Sequence, residues 1–242
     1  MTLRIEDLGV AFPAPRPAAL EGVCFAVARG ELVGLTGSSG AGKSLAAEAL
    51  AGLLPPGAER RGRITLDGAP LPRGAVALAP QRLDALDPLA RVGRQIERFA
   101  RLAGRRADVP ATLAEAGLPA ETAARFPHQL SGGMARRVLL AAALSTGAAW
   151  IVADEPTVGL DPAAADRATA LLARLAGTGR GLVVVSHDLP RLARVAARIV
   201  VLREGRQVET APAAAFAGEG AALRDPFSRA LWRAQIPEDA AC

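Results

Sequence analysis

Apolar and polar positions along the chain predict an alternation of strands and helices. Leu3 to Leu8 and Val23 to Ala28 read as short strands separated by the proline-rich turn Pro13 to Pro17. Glu31 to Thr36 is an apolar strand that runs directly into a glycine-rich stretch. Gly42 to Leu53 then reads as a helix, stopped by Pro55-Pro56-Gly57. Ile64 to Leu66 and Ala75 to Ala79 are further strand candidates. From Leu83 to Leu144 the pattern becomes helical, with breaks at Gly104, Pro110, Gly117 and Pro127. Strand (Trp150 to Ala153), helix (Pro162 to Leu175), strand (Leu182 to Val185), helix (Leu189 to Ala196) and strand (Ile199 to Leu202) follow. Such alternation implies a mostly parallel sheet covered by helices, with the helical stretch inserted as a lobe between two parts of it. Ala211 to Ala222, rich in alanine, is expected to be a mobile surface segment.

Composition narrows this reading. The chain has 242 residues, half of them apolar, which suffices for one large domain or two small lobes. The net charge is +5, but the arginines are scattered among 24 acidic residues with no basic run interleaved with aromatics, so no nucleic-acid partner is expected. Cys24 and Cys242 lack metal-ligand spacing and fit a reducing compartment. MTLRIEDLGV lacks the apolar core of a signal segment. The most apolar run, Val138 to Ala153, is broken by Ser145, Thr146 and Gly147, so no membrane span is expected and any membrane role implies recruitment by a partner.

The single lysine, Lys43, is the most informative residue, because all other cations are arginines. It lies in Gly37-Ser38-Ser39-Gly40-Ala41-Gly42-Lys43-Ser44, between a strand and a helix. Glycines there let backbone N–H groups approach a polyphosphate, and the helix presents its positive end to the anion. Lys43 is placed to reach the β- and γ-phosphates of a nucleoside triphosphate, and Ser44 to hold Mg²⁺ through its hydroxyl. Ile151-Val-Ala-Asp154-Glu155 is an apolar strand ending in two carboxylates at a sheet edge: Asp154 is a candidate Mg²⁺ ligand and Glu155 a candidate base for an attacking water. Leu130-Ser131-Gly132-Gly133-Met134 opens a helix, and a hydroxyl with bare backbone donors at a helix start makes a second anion site.

Together these residues resemble the ATP-binding subunits of ABC transporters over nearly the whole chain. The ordered set comprises the phosphate loop 37–44, Gln81 after a strand, the signature 130–133, Asp154-Glu155, the turn Gly159-Leu160-Asp161 and Ser186-His187-Asp188. The resemblance implies one ABC-type P-loop NTPase domain over 1–242. Its nucleotide-binding core would comprise 1–82 and 145–210, with a mostly parallel sheet and an antiparallel β subdomain, a helical signature lobe 83–144 and a C-terminal tail 211–242. It implies ATP and Mg²⁺ as cofactors, Gln81 as a sensor of Mg²⁺ and the attacking water, Asp161 at a dimer interface and His187 on the γ-phosphate. Members work as head-to-tail dimers in which each signature completes the partner's phosphate loop. Phe12 stands where members often stack an aromatic on adenine; stacking and core packing are both open to it.

Within the family the chain looks most like the nickel, dipeptide and oligopeptide import branch. Met134 with Arg136-Arg137-Val138, Ala153 to Thr157 with Leu160-Asp161, and the tail Asp225 to Leu231 carry this likeness, and the short length is closest to the nickel type. The implied partners are a second ATP-binding chain carrying LSGGQ, integral membrane permease subunits and, through them, an external binding protein. The implied location is the cytoplasmic face of the inner membrane. DNA-repair relatives insert coiled coils or zinc modules before the signature. The intervening segment here has neither heptads nor cysteine pairs.

Overall fold

A computed structural model describes residues 1–13 and 19–236. The strands are β1 (Thr2–Ala11), β2 (Leu20–Ala28), β3 (Leu32–Gly37), β4 (Glu59–Leu66), β5 (Ala69–Pro70), β6 (Val76–Ala79), β7 (Trp150–Asp154), β8 (Gly181–Val185), β9 (Arg198–Arg203) and β10 (Arg206–Pro212). The helices are α1 (Lys43–Ala51), α2 (Val92–Leu102), α3 (Val109–Glu115), α4 (Gly132–Ser145), α5 (Pro162–Gly177), α6 (Leu189–Val195) and α7 (Pro226–Arg233). The strands lie in one sheet in the order β5-β4-β1-β2-β10-β9-β3-β8-β7-β6. The half β5-β4-β1-β2 is antiparallel, whereas β9, β3, β8, β7 and β6 run parallel. The alternation of strand and helix in the sequence thus yields the mostly parallel sheet expected of it.

Every residue of β3, β7 and β8 is buried, as strands covered by helices on both faces require. Their side chains sort by parity between two cores. Val33, Leu35, Val152, Val183 and Val185 pack with β1, β2 and α1; Leu32, Ile151, Ala153, Leu182 and Val184 pack with α2 to α6. Slipping any of these strands by one residue would exchange its two faces, which fixes the register. The helices come close because small residues meet them. α1 buries Ala46, Ala47 and Ala49, and a Cβ on Gly34 would lie 2.6 Å from Leu192 Cδ2 on α6. The helices α2 to α4 share one continuous apolar cluster with their face of the sheet.

The two halves of the sheet meet sparingly. β10 bridges to β2 at the single pair Arg206–Glu21, whose side chains also form an ion pair at 2.6 Å. Trp150 makes a deeper link: it is 1% exposed, and its indole Nε1–H donates to the Val27 carbonyl of β2 at 3.0 Å. Its cross-strand neighbour is Gly181, where a Cβ would stand 2.2 Å from the indole Cδ1. The glycine is therefore the space the indole occupies.

The expectation of a mobile Ala211 to Ala222 segment is corrected. Ala211 and Ala213 are buried at the end of β10, and Phe216, Leu223 and Trp232 enter the main core. Phe216 and Trp232 meet edge to face at 5.9 Å, and Trp232 Nε1–H donates to the Gly218 carbonyl at 2.8 Å. Asp225 caps α7 by accepting from the backbone N–H groups of Phe227 and Ser228 at 2.8 and 3.2 Å.

Replacing Trp150 by Phe keeps most of the apolar contact but leaves the Val27 carbonyl without its buried donor. The expected outcome is a loss of about 1–3 kcal/mol of stability in chemical denaturation with nucleotide affinity retained. An unchanged midpoint would show that the indole bond does not hold the two halves together.

Candidate active site

Strand register brings the site together. Leu35 of β3 pairs with Val185 of β8, and Val185 pairs with Asp154 of β7. The residues that follow these three, Thr36-Gly37, Ser186-His187 and Glu155, therefore leave the sheet along one edge. Ala79 of β6 pairs with Ala153, so the segment leading to Gln81 emerges beside Asp154 and Glu155.

The loop from Gly37 to Ser44 follows β3. Gly37 has φ 150°, and a Cβ there would lie 2.0 Å from the Leu202 carbonyl oxygen on β9, so no other residue fits. Gly42, at φ 88°, closes the loop against Leu20 and Ala19, and Ala41 is buried. Lys43 opens α1, and its Nζ donates to the carbonyls of Gly37 and Ser38 at 3.0 and 2.9 Å, so the ammonium lies inside the curl of the loop. Burial lowers the Lys43 pKa, while the carboxylates of Glu155 and Asp154 oppose that shift. Ser39 and Gly40 face outward at the loop's crest, with nothing within 4 Å of a Cβ on Gly40.

Asp154 and Glu155 are each 6% exposed. Burial raises the Asp154 pKa; the Ser44 hydroxyl beside it opposes the shift, and the neighbouring carboxylates Glu155 and Glu48 reinforce it. Asp154 Oδ1 is buried without a hydrogen-bond partner. An orphaned carboxylate oxygen next to a serine hydroxyl is a donor set that fits a hard divalent cation. Among the described residues no group of three His, Cys, Asp or Glu side chains assembles.

Glu155 adopts a left-handed backbone, φ 48°, a conformation that costs a non-glycine residue about 1–3 kcal/mol and collects at functional sites. Its N–H donates to the Val185 carbonyl at 2.9 Å, and its Oε2 lies 2.9 Å from His187 Nδ1. His187 itself is largely exposed, so one face of the imidazole remains open beyond the contact with Glu155.

The other sequence candidates lie elsewhere. Ser131 caps α4, its Oγ accepting from the Met134 N–H at 3.3 Å, and Gly132 has open space where a Cβ would stand. Asp161 caps α5 by accepting from the Ala164 N–H at 2.9 Å. Neither hydrogen-bonds to the phosphate loop among the described residues. Gln81 is exposed. Phe12 is half-buried and directly precedes Pro13 and the undescribed residues 14–18. Arg136 is a residue whose role sequence reasoning missed. From α4 its Nη1 reaches the backbone carbonyls of Gln81 (3.2 Å) and Glu155 (3.3 Å), tying two loops of the site to the signature helix. In sequence it enters only within the Arg136-Arg137-Val138 likeness to the import branch, which gives it no role in the site.

Comparison with known proteins fits this geometry. The family model described as ABC transporter matches residues 20–158. This chain belongs to that family. It is 37% identical to the nickel import ATP-binding protein NikE of Rhodospirillum rubrum, over 93% of this chain and 85% of that protein. It is 38% identical to the Nod factor export ATP-binding protein I of Paraburkholderia xenovorans, over 83% of this chain and 68% of that protein. It is 35% identical to the oligopeptide transport ATP-binding protein OppD of Mycobacterium bovis over 86% of this chain, but spans only 38% of that protein's length. Among solved structures, a dimeric ATP-binding cassette in a post-hydrolysis state with ADP and Pi superposes with a TM-score of 0.73 at 26% identity, covering 88% of this chain and 99% of the other. The chain is thus an ABC ATPase domain, and the glycine loop 37–44 and the Asp154-Glu155 strand end lie within the matched residues. Among the described residues no helix is long and apolar enough to cross a membrane.

The raised Asp154 pKa has a consequence for stability. The folded chain holds this proton more firmly than the unfolded chain, so stability falls as pH rises from the ordinary carboxylate range through the raised folded value. In nucleotide-free protein with chelator, Asp154→Asn is expected to melt above wild type at neutral pH. The gap should shrink as pH is lowered and the wild-type carboxyl becomes neutral; melting curves across pH that stay parallel would rule out this origin.

Proposed function

We propose that this chain is the ATP-binding and hydrolysing subunit of an ABC importer for nickel or another metal or metal chelate. The observation that carries the reading is the convergence of Lys43, Asp154, Glu155 and His187 at one sheet edge, with Glu155 buried and oriented by His187. The likeness to a nickel import ATP-binding protein over most of both chains favours that cargo. The peptide importer is the second reading, favoured by the 35% identity to an oligopeptide subunit.

In the proposed mechanism the N–H groups of residues 37–44 and Lys43 bind the triphosphate. Ser44 and Asp154 hold Mg²⁺, which offsets phosphate charge, and Gln81 orients the water and metal side of the site. Glu155 accepts the proton of the water as its oxygen forms a bond to the γ-phosphorus and the bond to the β–γ bridging oxygen breaks. His187 keeps the Glu155 carboxylate aimed and offers its open face to the γ-phosphate. Phe12 supplies a stacking face for adenine. Ser131, Gly132, Gly133 and Asp161 act across a head-to-tail dimer, on the phosphate loop of a second ATP-binding chain, and the exposed N-terminus of α4 supports that assignment. The chain works as one cassette over 1–242 at the cytoplasmic face of the inner membrane. Its helical lobe 83–144 moves against the core and drives permease subunits fed by an external binding protein.

Glu155→Gln is expected to bind ATP with wild-type affinity and to hydrolyse it about a hundredfold to ten-thousandfold more slowly, trapping the dimer. Normal turnover in this variant would refute the assigned base. Deleting the gene should abolish uptake of radiolabelled Ni²⁺, with rescue by wild type and not by Glu155→Gln. Unchanged nickel uptake together with lost peptide uptake would select the peptide reading.

A further inference from the structure

Behind the signature helix lies a cavity of about 400 Å³, separate from the phosphate loop, walled by α4, α5 and the carboxyl ends of β6 and β7. Its wall combines two features that rarely coexist without a ligand. Leu140, Leu171 and Leu172 give it an apolar floor, while Arg136, Arg137, Arg167 and Arg174 supply four guanidinium groups. Asp154 is the one acid in the wall, and it serves the phosphate site. None of the four arginines takes part in an ion pair among the described residues; the nearby Glu115 carboxylate is engaged by Arg180 instead.

Arg136 is held by the carbonyls of Gln81 and Glu155, so it belongs to the site already described. The other three have different surroundings. Arg137 is fixed by the carbonyls of Gly133 (3.2 Å) and Gly117 (2.7 Å), which orient it without neutralising it. Arg174 reaches only the Glu115 carbonyl, at 3.5 Å. Arg167 makes no side-chain hydrogen bond among the described residues and repels Arg137, whose pKa is lowered first by burial and then by this neighbour. Arg167 and Arg174 lie seven residues apart on α5 and so project from one face of it, two turns apart. Arg167 and Arg174 are exposed at the mouth of the hollow and Arg137 is half-buried, so the wall offers guanidinium donors of one sign that no carboxylate among the described residues has taken. The volume lies within the range of small-molecule sites.

We propose that this cavity binds a small amphipathic organic anion. Its carboxylate, sulfonate or phosphate head bonds to Arg137, Arg167 and Arg174, and its apolar body packs on Leu140, Leu171 and Leu172. Gly133 and Leu160 also line the hollow, so an occupant contacts the start of the signature helix and the turn before α5 together.

The test uses the full chain and the dye anilinonaphthalene sulfonate, an amphipathic anion that fluoresces in apolar surroundings. Saturable binding of one dye per chain is expected, and Lys43→Ala should retain it, since the phosphate loop is elsewhere. Arg167→Ala/Arg174→Ala, on the exposed side of α5, should weaken it by about tenfold or more, the scale of one lost charge-assisted contact. Ala168→Phe, which fills the hollow and keeps every arginine, should abolish it. Each α5 variant is first shown to melt and to bind ATP as wild type does, and Lys43→Ala to melt as wild type does. Octanoate should displace the dye and octanol should not. Absence of saturable binding, loss of binding in Lys43→Ala, indifference to both α5 variants, or equal displacement by octanol would each overturn the proposal.

Discussion

The site depends on three buried strands that carry no charged side chain before their ends. β3, β8 and β7 are buried on both faces, so any side chain with charge must wait until the strand ends. Parallel pairing then decides where the chemistry falls, because all three strands end on the same side of the sheet. The phosphate loop, Glu155 and His187 are neighbours for this reason, although more than a hundred residues separate the first from the last. The sorting of alternate residues into two apolar cores locks that register, so the core that stabilises the fold also positions the catalytic groups to within a hydrogen bond.

Local cost gathers where the strands stop. Lys43 and Asp154 have pKa values shifted by burial in opposite directions, each toward its neutral form, and each is partly compensated by a neighbouring group. Glu155 carries a left-handed backbone, and Asp154 Oδ1 lacks a partner. These are features that a sequence optimised for stability alone would remove, and they sit within a few residues of one another. The interior, by contrast, shows small residues placed for contact: Gly181 against Trp150 and Gly34 against Leu192. At this edge a polyphosphate and a cation would compensate the cost, whereas the other left-handed residues, Asp7, Asp67 and Glu204, lie at the irregularity in β1 and in the turns after β4 and β9.

Much of this was legible in the sequence. Apolar runs ending in Gly37 and in Asp154-Glu155 mark buried strands, and the glycine spacing with Lys43 fixes the loop chemistry. β10 was missed because Arg206 to Pro212 mixes charge with single apolar residues, the composition of a strand that closes a junction and is solvated on one side. The packing of 211–222 was missed because its anchors, Phe216, Leu223 and Trp232, follow neither helical nor strand spacing and act through tertiary contact. Ser131 is legible as a hydroxyl at a helix start, whereas Asp161 enters only through the family resemblance; within this chain the caps both form satisfy orphan backbone donors, and a role across an interface needs a second chain.

Arg136 shows what remains invisible to pattern. Its guanidinium reaches two carbonyls, one following β6 and one following β7, from a helix whose N-terminus is the signature. Both bonds come from the one nitrogen Nη1, which places the two loops on either side of a single point of the guanidinium. Burial lowers the Arg136 pKa, and the nearby Glu155 carboxylate opposes that shift, so the guanidinium faces the carboxylate proposed as the base. Rotation of α4 would therefore pull on the Gln81 loop and the Glu155 backbone together. Lys43 bonds two carbonyls from one nitrogen in the same way, but both lie within its own loop, whereas Arg136 joins two segments that follow different strands. The reach of the side chain from α4, rather than the number of its donors, is what couples the helix to the site.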